Sequence, residues 1–184
     1  MLVECGFVRA QTDDGCEYTF TPSIGRIAAL GSPVEIVNLF IDLNGDNPES
    51  SARYILYCLC DQEDPSKLLG CVDDNGIVEG LMPINEQVII ALHLMIHGIV
   101  GMAKPEKNGD GTYSEEFNAS EYIACARVHL GLSTDDAEAL SMTEFQKLMA
   151  MKFPDAGKNA RDVPTRDEYN AAMAAMRKRR ENVH

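Results

Sequence analysis

Helix-entry signals punctuate this chain more densely than any other feature. Ser32, Asn47, Asn118, Ser133, Ser141 and Thr165 each stand at the head of a stretch with helical apolar spacing. Four of these residues have a glutamate three places on: Glu35, Glu121, Glu144 and Glu168. In such a box the cap accepts from the third helical N–H while the glutamate returns to the cap's own N–H. Two donors that every helix start leaves unpaired are thereby satisfied. Pro33 and Pro48 add the proline that suits a first helical position. Such a chain is expected to be mainly α within an α+β class: an N-terminal β-hairpin, a helical bundle and a C-terminal helical module.

The strand signals sit at the front. "LVECGFV" and "EYTFT" flank "DDG", a turn sequence, and predict the hairpin. Helices follow in "PSIGRIAAL", stopping at Gly31, and in "SPVEIVNLFIDL", where Ile36, Val37, Phe40 and Ile41 form one stripe. Asn47 as cap and Pro48 as first residue open the next, through about residue 60. "LLGCVDDNGIVEGLMP" (68–83) reads equally as a second hairpin or a long loop. A helix is expected from Asn85 to about Met102, then a polar Gly-rich loop, a helix from Asn118 to Gly131, and two short helices in 133–149. A last helix starts at Thr165, and its terminal Arg177, Lys178, Arg179 and Arg180 suit the negative end of a helix dipole. Three regions result: 1–117, 118–153 and 154–184, with 154–164 as linker.

Charge narrows the function classes. The net charge is −13. Residues 1–90 hold four Lys/Arg against fifteen Asp/Glu, and residues 91–184 hold twelve against fourteen. Phosphate backbones and anionic membranes repel such a chain, so neither nucleic acid nor membrane is expected as a partner. The longest apolar run, "VIIALHLMIHGIVGM", has fifteen residues, short of the roughly 20 a bilayer span needs. The start lacks a basic n-region and an apolar h-region, and six cysteines then read as reduced thiols of a cytosolic protein.

Chemistry finds little to hold. His93 and His97 lie four apart, as metal ligands can, but Leu94 stands where a zincin places glutamate. Two histidines on a buried helix is the plainer reading. Cys58, Cys60 and Cys71 do not have zinc-site spacing. The loop 104–115 has Gly109 and Glu115 where a calcium loop has glycine and glutamate, yet Lys104 occupies the first ligand place. No nucleophile elbow, Walker or dinucleotide pattern occurs. No catalytic residue, metal or cofactor is assigned, and an enzyme is not expected.

The short helix pair in "HLGLSTDDAEALSMTEFQKLM" (129–149) has the outline of a DNA-reading helix-turn-helix. Its second helix offers Glu144, Gln146 and Lys147 behind a helix bearing three acids, the wrong sign for DNA. What stands out instead is apolar and pliable: Met142, Phe145, Met149, Met151 and, on the last helix, Met173 and Met176. Methionine-rich surfaces accept varied apolar partners, although core packing explains most such residues.

Two stretches carry a family likeness. "EYTFTPSIGRIAALGSPVEIVNLFIDL" (17–43) resembles the opening of tail assembly chaperones from long-tailed, lambda-like bacteriophages. "CARVHLGLSTDDAEALSMTEFQKLM" (125–149) is similar to their distal module, through Leu130, Gly131, Leu132, Ser133, Met142, Thr143 and Phe145. In lambda-like systems that module is usually reached by a frameshift, whereas this chain carries it continuously. The resemblance implies a non-enzymatic protein of the infected host's cytoplasm, missing from the finished virion. It would coat the tape measure protein in many copies, associating with itself along it, and recruit the tail tube subunit. Ile36, Phe40, Tyr54 and Tyr57 are the expected tape-measure contacts. Met142, Phe145 and Met149 are expected to meet the tube protein, with Met173 and Met176 as a further partner-binding pair. The rival readings are a virion component, such as a head–tail connector or tail completion protein, and a small metal-dependent enzyme using His93 and His97.

Overall fold

A computed structural model of the chain describes residues 3–73, 76–102 and 115–154. The N-terminal hairpin is present: β1 (Val8–Gln11) pairs antiparallel with β2 (Glu17–Phe20), Val8 opposite Phe20. The first strand is shorter than its apolar run. Gly6 takes φ +94°, which breaks the extended backbone, and Val3–Cys5 coil into a 3-10 turn instead. In β2, Tyr18 and Phe20 point inward and are buried while Glu17 is exposed, the alternation of a half-buried strand.

The helices are α1 (Ile24–Ala28), α2 (Pro33–Asp42), α3 (Glu49–Leu59) and the single turn α4 (Ser66–Leu69). The ambiguous stretch 68–83 is a hairpin, with β3 (Gly70–Asp73) antiparallel to β4 (Gly76–Glu79). After it come α5 (Ile84–Met95), α6 (Ala119–Cys125), α7 (Thr134–Ala139) and α8 (Met142–Lys152). Both α5 and α6 finish in a π-helical turn, Ile96–Val100 and Ala126–Leu130, and stop at positive-φ glycines, Gly101 and Gly131. Hence the architecture is a short N-terminal hairpin followed by helices, an α+β fold.

Three serine caps work as their chemistry demands, whereas Asn118 holds the cap position of α6 without a capping bond from its side chain. Glu35 accepts the Ser32 N–H at 2.7 Å, and Glu144 accepts the Ser141 N–H at 2.9 Å while Ser141 Oγ takes the Glu144 N–H at 3.2 Å. Ser133 Oγ accepts from the Asp136 N–H at 3.1 Å. One expected cap is displaced: Pro48 itself holds the cap position of α3, its carbonyl accepting from Ala52, and Asn47 lies outside.

The core gathers around α1. Phe20, Ile24 and Ile27 meet Ile55, Leu56 and Leu59 of α3 and Leu94 and Met95 of α5, all without accessible surface. Arg26 secures the end of α3. Its Nη1 donates to the Leu59 and Cys60 carbonyls at 3.2 and 2.9 Å, and its Nη2 pairs with Asp61 at 2.6 Å. Those carbonyls are among the acceptors a helix C-terminus leaves unpaired. Two expectations fail here. Ile41 does not join the buried stripe of α2: it is 59% exposed, and Leu43 is buried in its place. Nor is there a boundary at 117/118, because Phe117, Ala126, Ala137, Met142 and Phe145 share the core with α1 and α3. The chain divides instead after Met149, within α8, into Met1–Met149 and Ala150–His184. The expected linker beyond Pro154, the last helix, and Met173 and Met176 on it lie outside the described residues.

A Cβ built on Gly6 would sit 2.2 Å from His97 Cβ, whereas one on Gly15, with a similar φ of +84°, meets nothing within 4 Å. Gly15→Ala should therefore cost about 1 kcal/mol of backbone strain. Gly6→Ala should cost at least about 2 kcal/mol more, from the clash with a helix-anchored atom. Urea denaturation of the two variants measures the difference.

Candidate partner-binding grooves

The inward residues of α3 are Ala52, Ile55, Leu56 and Leu59, at helical spacing. That register turns Arg53, Tyr54 and Tyr57 toward the flank, where β3, β4 and the start of α5 wall off a groove of about 650 Å³. Its lining is largely apolar and aromatic, from Tyr54, Tyr57, Cys71 and Ile84, with Glu49 and Glu79 at the rim. Tyr54 donates its hydroxyl to the Leu30 carbonyl at 2.8 Å, and Tyr57 donates to the Gly70 carbonyl. Burial pushes both phenols up from their usual range, so they remain neutral donors with fixed rings. Tyr54 is nonetheless 45% exposed. Its other side faces a second depression walled by Leu30 and Leu39 and flanked by Glu35 and Asp42. Four carboxylates thus line the two depressions that Tyr54 borders, and Arg53 is the one cation among the described lining residues.

A small cavity beside the groove holds unspent polar capacity. Gln87 is buried, and its amide nitrogen donates to the Leu69 and Met82 carbonyls at 3.0 and 2.9 Å. Gln87 Oε1 and Arg53 Nε are both buried without a hydrogen-bond partner among the described residues, and both line one small adjoining cavity. An acceptor and a donor left buried and unmatched carry a desolvation cost that a polar group able to both donate and accept would relieve.

The second groove, of about 460 Å³, lies between α6 and α8. Tyr122 stacks on Phe117 at 5.5 Å and meets Phe145 edge-on at 5.7 Å, making an aromatic floor. Cys125 and Met149 form the walls.

The expected contact residues divide. Tyr54 and Tyr57 line the first groove, and Phe145 and Met149 the second. Ile36 (1% exposed) and Met142 (2%) are interior residues with no surface to offer a partner, which corrects their assignment as contacts. Phe40 is half-buried against the core, outside both grooves. Ile84, Arg53 and Tyr122 were not legible from sequence. The first two come together through the packing of α3 on α5, a pairing distant in sequence, and Tyr122 reads from spacing as ordinary amphipathic patterning.

The histidines form a separate locus. Their ring centroids are 4.5 Å apart, and buried His97 Nδ1 lies 2.8 Å from Thr143 Oγ1, a bond from α5's π turn to α8. Among the described residues no three His, Cys, Asp or Glu side chains gather as a metal-holding group. Nearby Cys5 has its thiol pushed up by burial and then by Glu144, so it is not an activated thiolate.

These features define a mainly helical α+β protein with open apolar grooves on an acidic body, and no described helix long and apolar enough to cross a membrane. A family model described as Family of unknown function (DUF6246) matches residues 45–171, and the chain belongs to that family. The matched span holds the α3–hairpin groove and the α6–α8 groove. Among curated proteins and among solved structures, none matches the chain.

His97 gives a pH prediction. Burial first, then His93 and Lys147, hold its pKa below the ordinary 6.5. Below about pH 6.5 the unfolded imidazole takes a proton that the folded one refuses, so stability is full above that pH and falls beneath it. Thermal midpoints recorded from pH 8 to 5 should decline through this window, and His97→Asn should flatten the decline.

Proposed function

We propose that this protein works by binding, as an assembly chaperone that holds a long, apolar, helical polypeptide in soluble form. By the likeness of residues 17–43 and 125–149, that polypeptide is the tape measure protein of a long-tailed phage. The observation that carries the reading is the α3 groove, where a hydrogen-bonded but exposed Tyr54 and the Tyr57 ring line an apolar cleft. Rigid aromatic rings in such a cleft present large contact area to one face of an amphipathic helix. The acidic body keeps the loaded complex dispersed. Many copies along one long partner bind tightly even where each contact is weak. The α6–α8 groove is the surface for the tail tube subunit, with Met149 as its adaptable wall. On this reading the protein acts in the infected host's cytoplasm and leaves before the virion is complete.

Co-expression with the long helical tape measure protein, followed by solubility measurement and pull-down, tests the proposal. Wild-type protein should hold it in the soluble fraction. Tyr54→Ala should weaken capture about tenfold or more, and Met149→Asp should spare capture but lose tube-subunit recruitment, both with near-native thermal midpoints. Undiminished capture by Tyr54→Ala, or a wild-type protein that leaves the partner insoluble, contradicts it.

A further inference from the structure

We infer that the basic C-terminal stretch of one copy seats in the acidic α3 groove of a second copy, so that free protein associates head to tail. Residues 1–149 carry eight Lys/Arg against twenty-four Asp/Glu, a net −16, while residues 150–184 carry eight against five, a net +3. The sign of the charge therefore reverses at the point where the chain divides, Met149/Ala150. Arg177, Lys178, Arg179 and Arg180 concentrate the positive charge. Just before them Tyr169, Met173 and Met176 fall at i, i+4 and i+7, the spacing of one apolar helical face.

The groove is the complement of that pattern. The exposed Tyr54 ring stands between Glu35 and Asp42 on one side and Glu49 and Glu79 on the other. Methionines suit the apolar floor, and the four cations suit the carboxylate rim. The α6–α8 groove is a poorer fit: Glu121 is the one carboxylate lining it, whereas the α3 groove and the depression beside it together hold four carboxylates against the single cation Arg53. Nucleic acid is a poorer occupant for the basic stretch, because a body of net −16 is tethered to it. A tail-into-groove contact is heterologous, so it links copies in a row rather than closing a symmetric pair. The inference rests on the helix-accepting groove proposed above: the tail of a neighbour occupies it until the partner arrives. Its test uses the protein alone, so either idea can fail without the other.

Sedimentation velocity of the nuclease-treated full chain provides that test. Association should rise with protein concentration and weaken about tenfold or more when salt is raised from about 50 to about 500 mM. The tail variant R177E/K178E/R179E/R180E and the groove variant E49K/E79K, each checked for folding by circular dichroism, should each be monomeric. Mixing the two should restore a complex, because each supplies the charge the other has lost. The inference is overturned by a wild-type chain that stays monomeric at low salt or loses its association on nuclease treatment. It is equally overturned if the groove variant associates normally, or if the mixture remains monomeric.

Discussion

The pairing of Ser23 with Ser141 is the constraint on which the rest of the molecule depends. The two residues form an isolated antiparallel bridge, and the Ile24 N–H, a donor that the start of α1 leaves unpaired, reaches the Leu140 carbonyl at 2.7 Å. Both serines are buried, and each caps its own helix, α1 and α8. One local geometry therefore starts two helices far apart in sequence and locks them together. It draws 118–149 into the N-terminal core and commits Met142, Thr143 and Phe145 to the interior. The His97–Thr143 bond then ties α5 to the same place, with Gly6 fitting against the imidazole because it lacks a side chain.

That commitment decides which surfaces remain for function. With the inner face of α8 turned to the core, Phe145, Gln146 and Met149 are what it presents to the α6–α8 groove. On the other side, α3 is held by Arg26 at its end and by α5 along its length, leaving the Tyr54–Tyr57 flank outward. The proposed chaperone reading draws on both facts: rigid rings set on braced helices, inside a shell whose charge resists aggregation. A binding surface on packed helices requires little ordering when a partner arrives, which favours affinity per unit area.

Local chemistry was the legible part of this fold. The caps at Ser32, Ser133 and Ser141 and the stop at Gly131 follow from interactions within about four residues, and the hairpin around 8–20 follows from a turn sequence between two strand-like runs. What escaped depends on partners distant in sequence. Residues 68–83 suit a hairpin and a loop equally in sequence, so their own pattern does not decide whether Cys71 and Glu79 wall a groove with Tyr57. Ile36 and Met142 illustrate the same limit. An apolar residue on a helix face looks alike from sequence whether that face meets the core or a partner, and here both were core. Ile41, by contrast, was expected inward and is exposed, because the stripe on α2 is narrower than its composition suggests.

Hydroxyl-radical footprinting of the Tyr54 ring, read by mass spectrometry with and without the tape measure protein, addresses the central claim most directly. The account predicts ready oxidation of Tyr54 in dilute, high-salt protein and strong protection in the loaded complex. A stable complex in which Tyr54 oxidises as fast as in the free protein would show that the α3 groove is not where the partner binds.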